Sequence, residues 1–270
     1  MDSQYLHHPA PGQGIEHAYG PNIHILSQPY PMSILARLCS SETTQPTVNR
    51  LVSRLYDWLL GEVASRELPR RQVSIPTRMR ASEPRGVYSG EAIDRHQSVV
   101  VCDIARAGMV PSQRVYEALH DVLAPEVIRQ DHVMASRKTN EAGQVVGIHV
   151  HASKIGGPVN ESIVLVPDPM AATGTSLDAV LQTYRNLPGG PPRKIVAMHL
   201  IITPEYLRRI REAHPDLVIY AVRLDRGMSS AEVLATRPGT RWAEEVGLNS
   251  VQYIVPGAGG VGELLNNAWI

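Results

Sequence analysis

Val164-Leu165-Val166-Pro167-Asp168-Pro169-Met170-Ala171-Ala172-Thr173-Gly174-Thr175-Ser176 decides the fold: a buried-type strand runs into an acid, then into a loop of small residues that opens a helix. Small residues let backbone N–H groups close on a phosphate, and the helix N-terminus adds partial positive charge. Thr173, Thr175 and Ser176 add hydroxyl donors, and Asp168 is placed to accept hydrogen bonds from sugar hydroxyls while the loop holds a terminal phosphate. No lysine follows the glycine, so this is not a Walker A loop. A capped turn without a ligand is the plainer reading, and Asp168 is what argues against it.

Outward from this junction the pattern repeats. Leu177, Val180, Leu181 and Tyr184 fall at helical spacing and Gly189-Gly190 stops them. Ile195–Ile202 and Leu217–Leu224 read as strands around a helix that Thr203 caps and Pro204 begins. Upstream, Ser98–Asp103 is a buried-type strand, and Val110–Leu123 carries Val115, Ala118, Leu119 and Val122 on one helical face. This alternation predicts the α/β class, a parallel sheet flanked by helices, with ligands at the carboxyl ends of the strands. From Thr44, apolar positions Val48, Leu51, Val52, Leu55, Trp58, Leu59 and Val63 predict a further helix with one buried face. Residues 1–21 lack periodicity and read as a loose arm ahead of a domain over 22–270. Within it, about 66–97 forms a small hood or arm region holding six arginines, Arg66, Arg70, Arg71, Arg78, Arg80 and Arg85, against Glu67 and Glu83 in its first part. A solvated or subunit-contacting hairpin is its plainer reading, a phosphate or RNA patch the other.

Composition narrows the function classes. The 270 residues hold 26 basic and 26 acidic side chains, and this balance excludes a globally basic nucleic-acid grip. No run approaches the about 18 apolar residues of a membrane span, and Met1–Gly20 lacks the make-up of a secretory signal. Two cysteines, Cys39 and Cys102, fit a reducing cytosol, so a cytoplasmic location is expected, with Cys102 as core packing rather than a nucleophile. His149 and His151 share a strand face with His132 nearby, but no further ligand completes a metal site, and exposed strand histidines are the reading. Gly257-Ala258-Gly259-Gly260-Val261-Gly262 spells GxGxxG, yet the chain runs only eight residues further, too few for a dinucleotide fold.

A second turn, Cys102-Asp103-Ile104-Ala105-Arg106-Ala107-Gly108-Met109, sets an arginine fork among small residues, suited to a phosphate. Asp103 as a helix cap and Arg106 in a surface ion pair is the plainer alternative. Arg137 and Lys138 offer further cations for a polyphosphate.

Three stretches together resemble the uracil phosphoribosyltransferase family. Asp168 to Ser176 is similar to its D-P-M-L-A-T-G-G-S loop, Ile104 to Gly108 to its I-L-R-A-G turn, and Glu212-Ala213-His214-Pro215-Asp216-Leu217-Val218-Ile219-Tyr220 to its E/K-A-H-P-D run. With Tyr253 to Glu263 at the end, the resemblance covers 22–263. It implies parallel strands with a smaller hood, and transfer of a ribosyl phosphate from phosphoribosyl pyrophosphate with Mg²⁺ held mainly by the substrate. On this resemblance Asp168 and Arg106 carry catalysis, Asp168 holding the ribose hydroxyls. Met170, Ala171, Ala172, Thr173, Gly174, Thr175 and Ser176 form the phosphate loop, and Arg106 and Arg137 take the pyrophosphate. The backbone of Tyr253, Ile254 and Val255 reads the edge of a pyrimidine base, with Gly259 and Gly260 in the same loop. The resemblance also implies a homodimer or homotetramer.

Three departures accompany it. The family's P-G-L-G-D-x-G-D ending lacks its first acid here, where Gly260 stands, and its later acid is Glu263. Ser136 replaces a tyrosine before Arg137, and residues 227–248 are an added stretch, read as a lid or subunit contact with Trp242 and Trp269 covering it. Pyrimidine salvage giving UMP is the function expected. A catalytically silent nucleotide-binding regulator and a transferase with a different acceptor ring are the alternatives.

Overall fold

Runs of β-branched residues become strands, and the apolar stripes between them become the helices that cover both faces. The structure, a computed structural model, describes residues 2, 13–139 and 145–268, except for the side chains of 136–139 and 145–150. In chain order come β1 (Ile23–Ile25), α1 (Pro29–Leu38), α2 (Thr47–Glu67), β2 (Arg70–Pro76), β3 (Val87–Ile93), β4 (Val99–Ala105), α3 (Met109–Leu119), β5 (Ile128–Thr139) and β6 (Val145–Lys154). Then follow β7 (Ile163–Pro167), β8 (Met170–Ala171), α4 (Thr175–Arg185), β9 (Lys194–Ile202), α5 (Pro204–Ala213), β10 (Val218–Leu224), α6 (Ala231–Leu234) and α7 (Val261–Asn266).

The main sheet runs β1-β10-β9-β7-β4-β5-β6, with β8 beside β9. Its pairs are parallel except β5 with β6. Parallel neighbours need long crossovers, and α3, α4 and α5 supply them. Every residue of β7 is buried, as expected for a central strand covered twice. One face packs Val101, Leu165 and Met198 against Leu55 and Leu59 of α2. The other packs Val100, Val164 and Val166 against Leu177, Val180 and Leu181 of α4 and Leu207 and Ile210 of α5. Each such side chain contributes about 1.5–3 kcal/mol of burial. Thr203 caps α5 by accepting the Tyr206 N–H at 3.0 Å, as the sequence predicts.

Two expectations are corrected. Val122 lies beyond α3, which ends at Leu119, and is 43% exposed rather than on a buried face. Residues 13–21 are not a loose arm: the Ile15 N–H donates to the Ile25 carbonyl at 2.8 Å, and Tyr19 is buried, edge-on to Trp242. The added stretch 227–248, expected to be a lid or a subunit contact, is anchored to the domain at its base. Arg226, wholly buried, bonds to Glu245 and Asp2 at 2.8 Å and donates to the carbonyls of Val233, Leu234 and Thr236. The Trp242 indole donates to the Pro204 carbonyl at 3.1 Å; Trp269 lies outside the described residues.

β2 and β3 form the predicted hairpin. Four of the six arginines in this region pair with acids: Arg66 with Glu62, Arg70 with Glu91, Arg71 with Asp94 and Arg85 with Glu83. That pairing favours the solvated or subunit-contacting arm over a nucleic-acid patch.

Candidate active site

At the carboxyl end of β7 the chain needs a sharp turn into α4, and Gly174 makes it with φ +78°, where a side chain would press on Ile210 and Tyr206 of α5. The consequence is a cradle. The N–H groups of Thr173, Gly174, Thr175, Ser176 and Leu177 make no backbone hydrogen bond among the described residues, while the Ala172 carbonyl is tied down by the Thr203 hydroxyl at 2.6 Å. Unclaimed donors at a helix start attract an anion. The Thr173 and Thr175 hydroxyls lie 3.0 Å apart at the same place. Asp168, half-buried, lines the cavity together with Met170, Ala171 and Ser176. Its volume of about 40 Å³ holds a few water-sized groups, the scale of one phosphate.

Asp168 is held from behind by residues that carry no signal in the sequence. Buried His199 bonds through Nδ1 to the Asp168 carbonyl at 2.6 Å and through Nε2 to the Tyr206 hydroxyl at 2.8 Å. A carbonyl only accepts, so Nδ1 carries the proton and Nε2 accepts from Tyr206. Burial lowers the His199 pKa to about 4, so the ring is neutral. Burial and the Asp168 charge push the Tyr56 and Tyr206 phenols well above their ordinary range.

At the end of β4, the Ala105–Arg106 peptide is cis, and Arg106 is exposed and donates to the Ala268 carbonyl at 3.2 Å. The plainer reading of this turn is not what the described residues show, where Arg106 makes no ion pair. Gly108, not Asp103, is the N-cap of α3, and Asp103 Oδ2 instead meets His132 Nδ1 at 3.0 Å across the β4–β5 register. Burial raises the Asp103 pKa, the His132 bond opposes it, and Oδ1 is buried without a partner among the described residues. Gly108 is required because a Cβ there would crowd Ile104 N and O at 2.8 Å and Asp103 Oδ1 at 3.2 Å. Burial pushes the Cys102 thiol up to about 12, consistent with core packing. The side chains of Arg137, Lys138 and His149 lie outside the described residues; His151 is exposed on β6.

The third loop follows β10. Asp225 accepts the Gly257 N–H at 2.8 Å and pairs with Arg223 at 2.6 Å, and Arg223 donates to the Gly257 carbonyl at 3.2 Å. This buried pair, missed in the sequence, fixes a turn that only glycine fits: Gly257 has φ +60°, and a Cβ would clash with the Ile254 carbonyl. The stretch 247–255 folds back as a short hairpin. Within it Tyr253 N and O pair with Asn249, Val255 N with the Gly247 carbonyl, and Val255 O with the Gly227 N–H. Antiparallel alternation therefore engages Tyr253 and Val255 and leaves the Ile254 N–H and carbonyl without a hydrogen bond among the described residues. Of the three residues whose backbone the resemblance assigns to a base edge, only Ile254 keeps both groups unengaged among the described residues. The turn then reaches Arg106's loop, since a Cβ on Gly262 would lie 3.6 Å from the Ala107 Cβ.

The three loops thus join into one rim. Ala172 is tied to Thr203, Asp225 N–H to the Ile202 carbonyl, Asp225 to Gly257, and Gly262 packs on Ala107. A wider cleft of about 750 Å³, bounded by Arg208, Arg209, Leu248 and Gln252, meets the cradle at Thr173.

A family profile described as uracil phosphoribosyltransferase matches residues 25–240. The uracil phosphoribosyltransferase of Pyrobaculum islandicum is 27% identical over 242 residues, covering 89% of this chain and 97% of that protein. That of Acidovorax ebreus is 25% identical over 251 residues, covering 90% and 96%. In fold, the chain is similar to the solved AQ2163 protein from Aquifex aeolicus, with a TM-score of 0.66, 22% identity, and coverage of 90% and 97%. Since the profile spans most of its length, the chain belongs to the uracil phosphoribosyltransferase family, a family of pentosyl-transferring enzymes.

Proposed function

We propose that the protein transfers the 5-phosphoribosyl group of phosphoribosyl pyrophosphate to uracil, giving UMP and pyrophosphate. The observation that carries this reading is the cradle: five N–H groups unclaimed among the described residues around a phosphate-sized cavity, with Asp168 on its wall. The N–H groups of 173–177 and the Thr173, Thr175 and Ser176 hydroxyls hold the 5-phosphate. Asp168, oriented through its own carbonyl by His199, accepts from the ribose hydroxyls and places the anomeric carbon. Arg106 and Arg137 hold the departing pyrophosphate. The Ile254 N–H and carbonyl offer one donor and one acceptor side by side, the complement of an imide edge such as that of uracil.

Displacement at the anomeric carbon builds positive charge on the sugar and negative charge on the leaving group, so fixed donors near the leaving group stabilise the transition state. Mg²⁺ fits as a companion of the donor, held mainly by the donor's own oxygens: it prefers hard oxygens and keeps several waters, and the half-buried Asp168 carboxylate would be one hard oxygen within its surroundings beside the cradle. When bound, the ion supplies countercharge to the pyrophosphate oxygens.

A cytoplasmic location and self-association as a homodimer or homotetramer belong to the same proposal. Cys39 and Cys102 are free thiols, and the β2–β3 arm exposes Ile75, Met79 and Tyr88 as apolar surface for a second copy. A different acceptor ring is the second reading, favoured by Gly260 where the family pattern has an acid. Calorimetry with phosphoribosyl pyrophosphate and Mg²⁺ tests the main reading. Asp168→Asn weakens donor binding or turnover about tenfold or more, the loss of charge-assisted hydrogen bonds; unchanged donor kinetics contradict the role given to Asp168.

A further inference from the structure

The acids bordering the three loops are mostly committed. Asp225 is paired with Arg223 and takes the Gly257 N–H, Glu205 accepts the N–H groups of Gly247 and Leu248, and Asp103 lies against His132. Glu263, half-buried on α7, is different: its carboxylate makes no hydrogen bond or ion pair among the described residues.

Its placement follows from a side chain that is missing. A Cβ on Gly260 would clash with Glu263 Oε2 and lie 3.1 Å from its Cδ. The carboxylate therefore fills the volume that a side chain at 260 would occupy. Gly260 has φ −79°, open to any residue, so what the glycine provides is room, not a turn. Gly262 packs against Ala107, next to Arg106. Glu263 thus stands where the base loop meets the pyrophosphate turn.

We propose that Glu263 takes the place of an acid at position 260 and accepts the ring N–H proton of the acceptor as its nitrogen bonds to the anomeric carbon. The inference rests on the phosphoribosyl-transfer reading above. As the C–N bond forms, the bond from the anomeric carbon to the pyrophosphate oxygen breaks and its electron pair leaves with the pyrophosphate. The N–H proton passes to the Glu263 carboxylate, the N–H electron pair stays on nitrogen, and solvent later takes the proton.

The test compares the full-length protein with Glu263→Ala, Glu263→Gln, Gly260→Asp and the double variant Gly260→Asp/Glu263→Ala. Donor affinity is read by calorimetry with phosphoribosyl pyrophosphate and Mg²⁺, and kcat and KM by UMP formation from uracil. Donor affinity stays within about threefold throughout, while kcat falls about 100-fold or more in both Glu263 single variants, the scale of a lost proton acceptor. Gly260→Asp alone collides with Glu263 and does not exceed the parent rate. The double variant, in which the new acid has room, regains about tenfold or more over Glu263→Ala. A kcat within about threefold of the parent in Glu263→Gln, or no recovery in a double variant that still binds the donor, overturns the proposal. Absence of donor binding in the parent overturns the reading beneath it instead. Donor binding without UMP in the parent overturns both the uracil assignment and the role of Glu263.

Discussion

Replacing His199 by asparagine probes the support behind Asp168. Asparagine keeps an N–H near Nδ1 to donate to the Asp168 carbonyl, but loses the Nε2 acceptor for Tyr206 and does not titrate. At pH 7 the variant is less stable by about 2–4 kcal/mol, from a buried hydroxyl left without its partner and lost ring volume. The pH dependence is the sharper test. His199 is fully buried, and its pKa falls from an ordinary 6.5 to about 4. The folded protein therefore binds this proton less readily than the unfolded chain, so the contribution is complete above pH 6.5 and is lost as pH falls toward 4. The loss amounts to about 3 kcal/mol. His17 and His24, also lowered by burial, act in the same direction but are present in both proteins and cancel in the difference. Urea unfolding at intervals between pH 7 and pH 4 reads it: the stability gap shrinks by about 3 kcal/mol across that range. Parallel stability profiles would refute the buried neutral imidazole and the tautomer derived from it.

Gly174→Ala combines an unfavourable positive φ with contacts at 3.1 Å to Ile210 and 3.2 Å to Tyr206; it lowers stability by about 1–2 kcal/mol and weakens donor binding, checked by thermal unfolding and calorimetry. Asp225→Ala strips the partner from nearly buried Arg223 and releases the Gly257 N–H. It lowers stability by about 3–5 kcal/mol, and under conditions where it is folded it raises the acceptor KM while donor affinity holds, as steady-state kinetics would show.

Legibility in the sequence follows the range of the contacts involved. The strand ending at Pro167 and the small-residue loop after Asp168 are local patterns, as are the stripe of α2 and the Thr203 cap, and each is readable within a few residues. His199 and Tyr206, which orient Asp168, lie on another strand and helix. Arg223 and Asp225 reach Gly257 more than thirty residues on, and no periodicity announces such a pairing. Residues 13–21 look shapeless because the surface holding Tyr19 is built by Trp242 and Glu245, over two hundred residues away. Tyr253, Ile254 and Val255 look equivalent along the chain, and the hairpin alternation that sets Ile254 apart becomes visible only once Gly247 and Asn249 are in register with them. Gly260 reads as a lost acid in one dimension, and only its distance to the Glu263 carboxylate gives that glycine a physical account.

Incubation of the protein with phosphoribosyl pyrophosphate, Mg²⁺ and uracil, with UMP and pyrophosphate followed by mass spectrometry, tests the central claim most directly. The account predicts UMP and pyrophosphate in equal amounts, dependent on all three additions and sharply reduced in Asp168→Asn. Tight donor binding with no UMP would contradict the uracil assignment, and no donor binding at all would contradict the phosphoribosyl-transfer reading itself.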